Sequence, residues 1–406
     1  MTPRPVVALV GSLDTKAAEY GAMRARFKAT GVRPLLIDVG VLGKPGIVPD
    51  VSRESVARTA GATIAELASS RDRNMAVQAM ADGASQLVAD LVRTERVAGV
   101  LMVGGSNAGY VMARLVESLP IGLPKMLVST IAAGDTRPYV AARDLTMMYP
   151  VVDIEGLNTV SSGMLARAVD AIAGMVNGAP VATNHAHRRR VALTMFGITT
   201  RCVSAVRAHV EAEGWEALVF HATGVGGAGM EAMIGDGAID AIIDVTTTEL
   251  ADELVGGVCS AGADRLTAAG RRGIGQVMSP GALDVVNFGP INTVPEHLIG
   301  RQFMAHNPNV TLMRTSPTEN EELARTMADH ANASQGAVSI EVPARGLSQI
   351  SGPGGPFHDP AADAAFIDTL RAELGEPTRL HVHDLTIEDS RFAELLATSF
   401  ADVTAQ

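Results

Sequence analysis

Several short segments carry residues suited to holding an anion. Gly11-Ser12-Leu13-Asp14-Thr15-Lys16 follows a continuous apolar run, Val6 to Val10. This reads as a buried strand, a turn and the start of a helix. Asp14 or Thr15 would cap that helix, because a short side-chain oxygen accepts from first-turn N–H groups. Those N–H groups, the helix dipole and Lys16 would together hold a phosphate or carboxylate. The alternative is structural: Gly11 turns the chain, Asp14 caps and Lys16 is solvated. Gly104-Gly105-Ser106 closes a second apolar run, and Ser129-Thr130 ends a third.

The second half offers a different set. Gly224-Val-Gly226-Gly227-Ala-Gly229 fits G-x-G-x-x-G between a strand and a helix, with Asp244 at the next strand end. Such a turn takes a dinucleotide, a phosphate, a carboxylate or nothing. Thr223, Gly224, Gly226 and Gly227 are therefore candidates for substrate binding. Thr246-Thr-Thr-Glu249 and Ser316-Pro-Thr-Glu319 both read as capping boxes, the latter with Pro at the first helical position. Glu249 is also a candidate acid or base. Arg265 and Arg314 are candidate clamps for a carboxylate or phosphate through their planar forks. His297 and His306 read as loop residues, with His306 a candidate general base. His381 and His383 alternate on one strand face, and His185 and His187 flank Ala186; both are considered as metal pairs. Ser279 lacks G-x-S-x-G surroundings, so no hydrolase nucleophile is assigned.

These residues need elements to position them. The first half alternates strands (6–10, 34–38, 97–103, 125–129, 145–153) with helices (15–29, a short one from 52, 71–94, 107–119, 158–176). The second half places strands at 191–196, 216–221, 239–244, 275–278, 310–314, 337–341 and 379–383. The pattern predicts an α/β fold with parallel sheets and right-handed crossovers. Ligands then sit beyond the carboxyl ends of the strands, where Gly11, Asp38, Gly104 and Ser129-Thr130 all fall. The polar, basic stretch Asn177 to Arg190 reads as a boundary between domains 1–183 and 188–406. Val191-Ala-Leu repeats Val7-Ala-Leu, a hint of two similar halves.

Composition narrows the classes. A 406-residue chain accommodates two ordinary domains, and 47% hydrophobic residues with a mean hydropathy of +0.19 describe a globular protein. The net charge of −11 argues against nucleic acid as the main partner. Cys202 and Cys259 have no metal or disulfide-scaffold spacing. No apolar run approaches the ~18 residues of a membrane span, so a cytoplasmic protein without membrane partners is expected.

With these residues assembled, the sequence resembles the proteins that share the ATP-binding domain of the tomato mosaic virus resistance protein, a family of bacterial and plant members. The resemblance covers nearly the whole chain. It rests on Gly11-Ser-Leu-Asp-Thr-Lys16, Asp38-Val-Gly-Val-Leu-Gly43, Gly104-Gly-Ser106, Val128-Ser-Thr130, Gly134-Asp-Thr-Arg-Pro-Tyr139 and Val152-Asp-Ile-Glu-Gly-Leu-Asn158. It continues through His221-Ala-Thr-Gly224, Thr246-Thr-Thr-Glu-Leu250, Ala261-Gly-Ala-Asp-Arg-Leu266, Ser279-Pro-Gly-Ala-Leu-Asp284, His306-Asn-Pro308 and Arg314-Thr315. It implies two Rossmann-like domains with mostly parallel sheets flanked by helices, a homodimer, and ATP, with Mg²⁺, in the N-terminal domain. The positions matching the nucleotide-facing motifs are Gly11, Ser12, Asp14, Thr15, Lys16, Gly104, Gly105, Ser106 and Thr130. The family usually continues Gly-Gly-Ser with Gly-Gly-Thr, whereas Asn107 follows Ser106 here. Near the end, Thr386-Ile-Glu-Asp stands in place of His-Ile-Asn-Asp.

The expectation that follows is an ATP-binding enzyme acting on a small carboxylate-bearing metabolite in a cleft between the domains. Arg265 and Arg314 would hold the carboxylate, and Glu249 or His306 would move a proton. Two alternatives stand beside it: a nucleotide-stabilised dimeric binding module without turnover, and a carbon–carbon hydrolase or lyase that does not consume ATP.

Overall fold

The computed structural model describes residues 4–70, 72–140, 142–178, 188–376 and 378–405. The chain divides into two compact units, Met1–Val181 and Ala182–Gln406. His185 and His187 lie outside the described residues.

The first unit is a parallel sheet of β1 (Val6–Gly11), β2 (Arg33–Asp38), β3 (Gly99–Val103), β4 (Lys125–Val128) and β5 (Thr146–Met148), in the order β2-β1-β3-β4-β5. Every residue of β1 is buried because helices cover both faces. Val6, Ala8 and Val10 join the core under helices Arg73–Arg93 and Ser106–Ser118. Val7 and Leu9 join the opposite core, under Ala17–Phe27 and Thr159–Asn177. The period of two thus feeds two apolar layers from one run of sequence. The first helix is shorter than 15–29, and Ile64–Ser69 is a separate helix with its own Thr63–Glu66 capping box.

The second unit holds β6 (Arg190–Met195), β7 (Glu216–His221), β8 (Ala241–Thr246), β9 (Gln276–Gly281), β13 (Val338–Pro343) and β14 (Arg379–His383) in one parallel sheet, ordered β14-β13-β9-β8-β6-β7. β6 lies between β7 and β8 just as β1 lies between β2 and β3. The repeated Val-Ala-Leu therefore marks the same topological position in both units. A three-stranded antiparallel sheet, β10 (Val285–Phe288), β12 (Val310–Arg314) and β11 (Phe303–Asn307), is an addition that the sequence pattern did not announce. His306 sits on β11 at a register irregularity rather than on a loop, and His297 lies in the single turn Glu296–Leu298. Both units are Rossmann-like.

Candidate functional site

In the first unit, β1 and β3 are neighbours whose following helices cover opposite faces of the sheet. This is the switch point at which open α/β sheets bind ligands. Tyr20 holds the strand ends in place: its hydroxyl donates to the Val10 carbonyl (2.5 Å) and accepts from the Val103 N–H (3.0 Å). Complete burial raises its pKa, so the hydroxyl stays protonated. A Cβ on Gly11 would lie 2.0 Å from the Tyr20 ring. Gly11 is therefore required for this packing, and it is not among the residues that line the cleft.

The turn after β1 also differs from its expected form. The helix begins at Ala17 with Lys16 at the N-cap and no side-chain cap. Asp14 does not cap: its Oδ2 accepts from the N–H groups of Leu42 (2.8 Å) and Gly43 (3.2 Å), fastening the loop that follows β2. Asp38 receives Leu13 N–H (3.1 Å) and Gly40 N–H (2.9 Å) on Oδ1, and burial raises its pKa. Lys16 is not free to act as a mobile charge. Its Nζ donates to the Ile154 carbonyl and pairs with Glu155 at 2.7 Å.

The opposite wall is the turn after β3. Gly105 is the N-cap of the 13-residue helix Ser106–Ser118, and no side chain caps it. The intrahelical ladder starts with Gly109 N–H to the Gly105 carbonyl, so the first-turn N–H groups have no intrahelical partner. A Cβ on Gly105 would meet nothing within 4 Å.

Between these walls lies a cleft of two lobes. One, about 220 Å³, is lined chiefly by apolar groups, among them Val39, Leu67, Val77, Met80 and Val111. The other, about 300 Å³, is polar, lined by Lys16, Gly104, Gly105, Ser106 and Asp153. Ser12, Thr15, Arg73, Met102, Asn107 and Ala108 line both. The structure thus brings Ser12, Asp14, Thr15, Lys16, Gly104, Gly105 and Ser106 to one cleft. Thr130 is not among the lining residues; it begins a turn capped by Ser129. Arg73 went unnoticed in the sequence because it comes from a helix between strands, not from a strand end.

The second unit handles the same topology differently. The Glu249 carboxylate accepts from Gly224 N–H (2.7 Å) and Gly227 N–H (3.0 Å), so the glycine-rich turn already holds an anion from its own chain. A Cβ on Gly227 would lie 2.0 Å from Glu249 Oε2, and Gly224 adopts φ +88°. Gly226 is tight for another reason: its Cβ would meet the His221 carbonyl at 1.8 Å. The Thr223 hydroxyl turns back to the same carbonyl, at 3.4 Å.

Arg265 is fully buried. Its Nε donates to Glu249 (2.6 Å), Nη2 to Asp244 (2.8 Å), and Nη1 to Asp244 and Glu231. Thr194 donates to Asp244 (2.6 Å), and Thr199 and Thr246 share a hydrogen bond of 2.8 Å. One guanidinium therefore faces three carboxylates, and burial raises the pKa of both Glu231 and Glu249. Arg265 and Glu249 are internal partners, not a substrate clamp and its acid. The Thr246 capping box is also absent, since Thr247 is the N-cap of Thr248–Val255 without a side-chain bond.

Arg314 is likewise internal, donating to the Phe357 carbonyl (2.9 Å), Thr315 (2.9 Å) and Asp363 (2.6 Å). His306 is exposed on its strand, apart from these groups. His383 pairs with buried Glu341 at 2.6 Å, and no cluster of three metal-ligating side chains occurs among the described residues. The Ser316 capping box forms as the sequence indicates, with Pro317 opening the helix.

Fold and cleft together define a two-unit, Rossmann-like α/β protein with an open cleft at the strand ends of its first unit. Residues 5–180 match the N-terminal domain model of the uncharacterised protein family UPF0261, and residues 188–404 match its C-terminal domain model. The chain belongs to this family. It is 40% identical to a UPF0261 protein of Clostridium tetani over 96% of this chain and 97% of that one. It is 39% identical to UPF0261 protein RA0729 of Rhizobium meliloti over 98% of each. It is also 39% identical to the ToMV resistance protein Tm-1(GCR237) of Solanum lycopersicum, over 82% of this chain and 45% of the tomato protein.

Among the described residues, no helix is long and apolar enough to cross a membrane.

Proposed function

We propose that the protein binds a nucleotide, ATP by the resemblance of its strand-end motifs, at the switch point of its first unit. One observation carries this reading: an uncapped helix N-terminus opens on a polar lobe that adjoins an apolar one. Helix N-termini attract phosphate through free N–H groups and the dipole, while an apolar lobe suits a base. The two lobes jointly fall within the roughly 300–1,000 Å³ of small-molecule sites. Asp153 is a carboxylate at the polar lobe to which Mg²⁺ held by phosphates would turn. Such an ion would neutralise phosphate charge; the chain's own part is to hold the anion by main-chain N–H groups and to shield the base from water. A cytoplasmic homodimer is the setting this reading assumes.

Titration of the full-length protein with ATP by calorimetry tests the reading. Saturable binding, on the order of micromolar, is expected, and ATP at 100 times Kd should stabilise the fold by about 2.7 kcal/mol. No heat and no change in melting temperature at millimolar ATP would refute it.

A second reading, a nucleotide-stabilised binding module without turnover, is favoured by the internal engagement of Arg265, Arg314 and Glu249. By residue type these groups suit a carboxylate substrate and its proton, yet each is hydrogen-bonded within its own unit. Phosphate release measured over hours at saturating ATP separates the two: turnover supports an enzyme, and binding without release supports the module.

A further inference from the structure

We infer that Arg73 is the cation that recognises the nucleotide's first phosphate, the one attached to the sugar; this rests on the nucleotide reading above. Among the described residues, two basic side chains line the cleft, Lys16 and Arg73. Lys16 touches only the polar lobe and is held by the Ile154 carbonyl and Glu155. Arg73 lines both lobes, and no hydrogen bond or ion pair to it is found among the described residues.

Its place in the fold is informative. Arg73 is the first residue of helix Arg73–Arg93, where the dipole disfavours a cation. Neighbouring Asp72, the N-cap, accepts from the N–H groups of Asn74 (2.9 Å) and Met75 (3.2 Å), so that helix end is already satisfied. The guanidinium is therefore a cation with no structural task at its own helix end, beside a cleft whose other wall is a second helix N-terminus. A base in the apolar lobe and a phosphate chain in the polar lobe place the sugar and first phosphate where the lobes meet. That is where Arg73 lies. A planar guanidinium donates two parallel hydrogen bonds to phosphate oxygens, a geometry that a lysine ammonium does not reproduce.

The prediction concerns a pattern across ligands. Calorimetry on the full-length protein and on Arg73→Ala, with AMP, ADP, ATP and adenosine, should show a loss of about tenfold or more for each phosphorylated ligand. Adenosine affinity should be unchanged. Arg73→Lys should recover part of the loss. Because Arg73 is exposed, the variant should melt as the parent does, which excludes misfolding. A loss confined to ATP would overturn the assignment to the first phosphate. Unchanged affinities for all four ligands, with the parent binding ATP, would overturn the role of Arg73 while leaving the nucleotide reading intact. No binding of any nucleotide by the parent would overturn both.

Discussion

The two parallel sheets place a central strand between the same two neighbours, yet their carboxyl ends meet opposite fates. In the first unit the turn after β3 is Gly104-Gly105, and the helix beyond it is left uncapped beside a cleft. In the second unit the turn after β8 is Thr246-Thr247, fully buried, with Thr194, Thr199, Asp244 and Arg265 packed against it. Its glycine turn, after β7, is filled by Glu249. One topology thus leaves an open cleft when its strand-end donors stay free, and forms a structural core when the chain supplies its own anion.

This contrast can be broken most severely at Arg265. Arg265→Ala leaves three carboxylates buried around a missing cation. Removing one partner of a buried pair typically costs about 3–5 kcal/mol, which equilibrium denaturation would register as a large loss of stability. A neutral outcome would mean that the cluster is hydrated and open, and that the second unit also holds a site.

The buried carboxylates also set a pH dependence. Asp252, fully buried on helix Thr248–Val255, accepts from the Cys259 N–H (2.9 Å) and from Asn287 Nδ2 (2.8 Å); burial raises it to about 7, and raises Asp363, the partner of Arg314, to about 6. Both exceed their unfolded values near 4, so the native state binds more protons. Their contribution is fully present below pH 4 and is lost as pH rises through about 6 to 7. Chemical denaturation between pH 4 and 8 should show this decline, and Asp252→Asn should flatten it. An unchanged slope in the variant would contradict the assignment to Asp252.

Smaller effects refine the comparison. Ser316→Ala removes a cap that accepts from Glu319 N–H and should cost about 1 kcal/mol. Lys16→Ala removes a pair whose glutamate is 82% exposed, so its stability cost should stay below about 1 kcal/mol. Thermal melts of the two variants would rank them in that order.

What the sequence made legible follows from local rules. Alternating buried runs and turns located the parallel strands, because period and punctuation are local. The Ser316 box was readable for the same reason. The identical device at Thr246 failed because Glu249, three residues on, found Arg265 and two glycine N–H groups in the tertiary structure instead. Arg265 and Arg314 looked like anion clamps by residue type, and they are; their anions are Asp244, Glu249 and Asp363 of the same chain. Glycine types likewise do not reveal what approaches them, so Gly11 looked like a phosphate turn when Tyr20 is what it must admit. Arg73 carried one faint signal, a cation in a helix first turn.

The central claim is that the first unit's strand-end site is open because no side chain of its own fills it. Gly105→Asp tests this directly by placing a carboxylate at the start of helix Ser106–Ser118, as Glu249 of a neighbouring helix supplies one to the Gly224–Gly227 turn of the second unit. The backbone at Gly105 is extended and an added Cβ meets nothing within 4 Å. Aspartate at this position should stabilise the protein by a few tenths of a kcal/mol, roughly the difference between Asp and Gly as N-caps. ATP affinity, measured on parent and variant by calorimetry, should fall below detection in the variant while its melting temperature holds or rises. Equal ATP affinity in the two proteins would contradict the account.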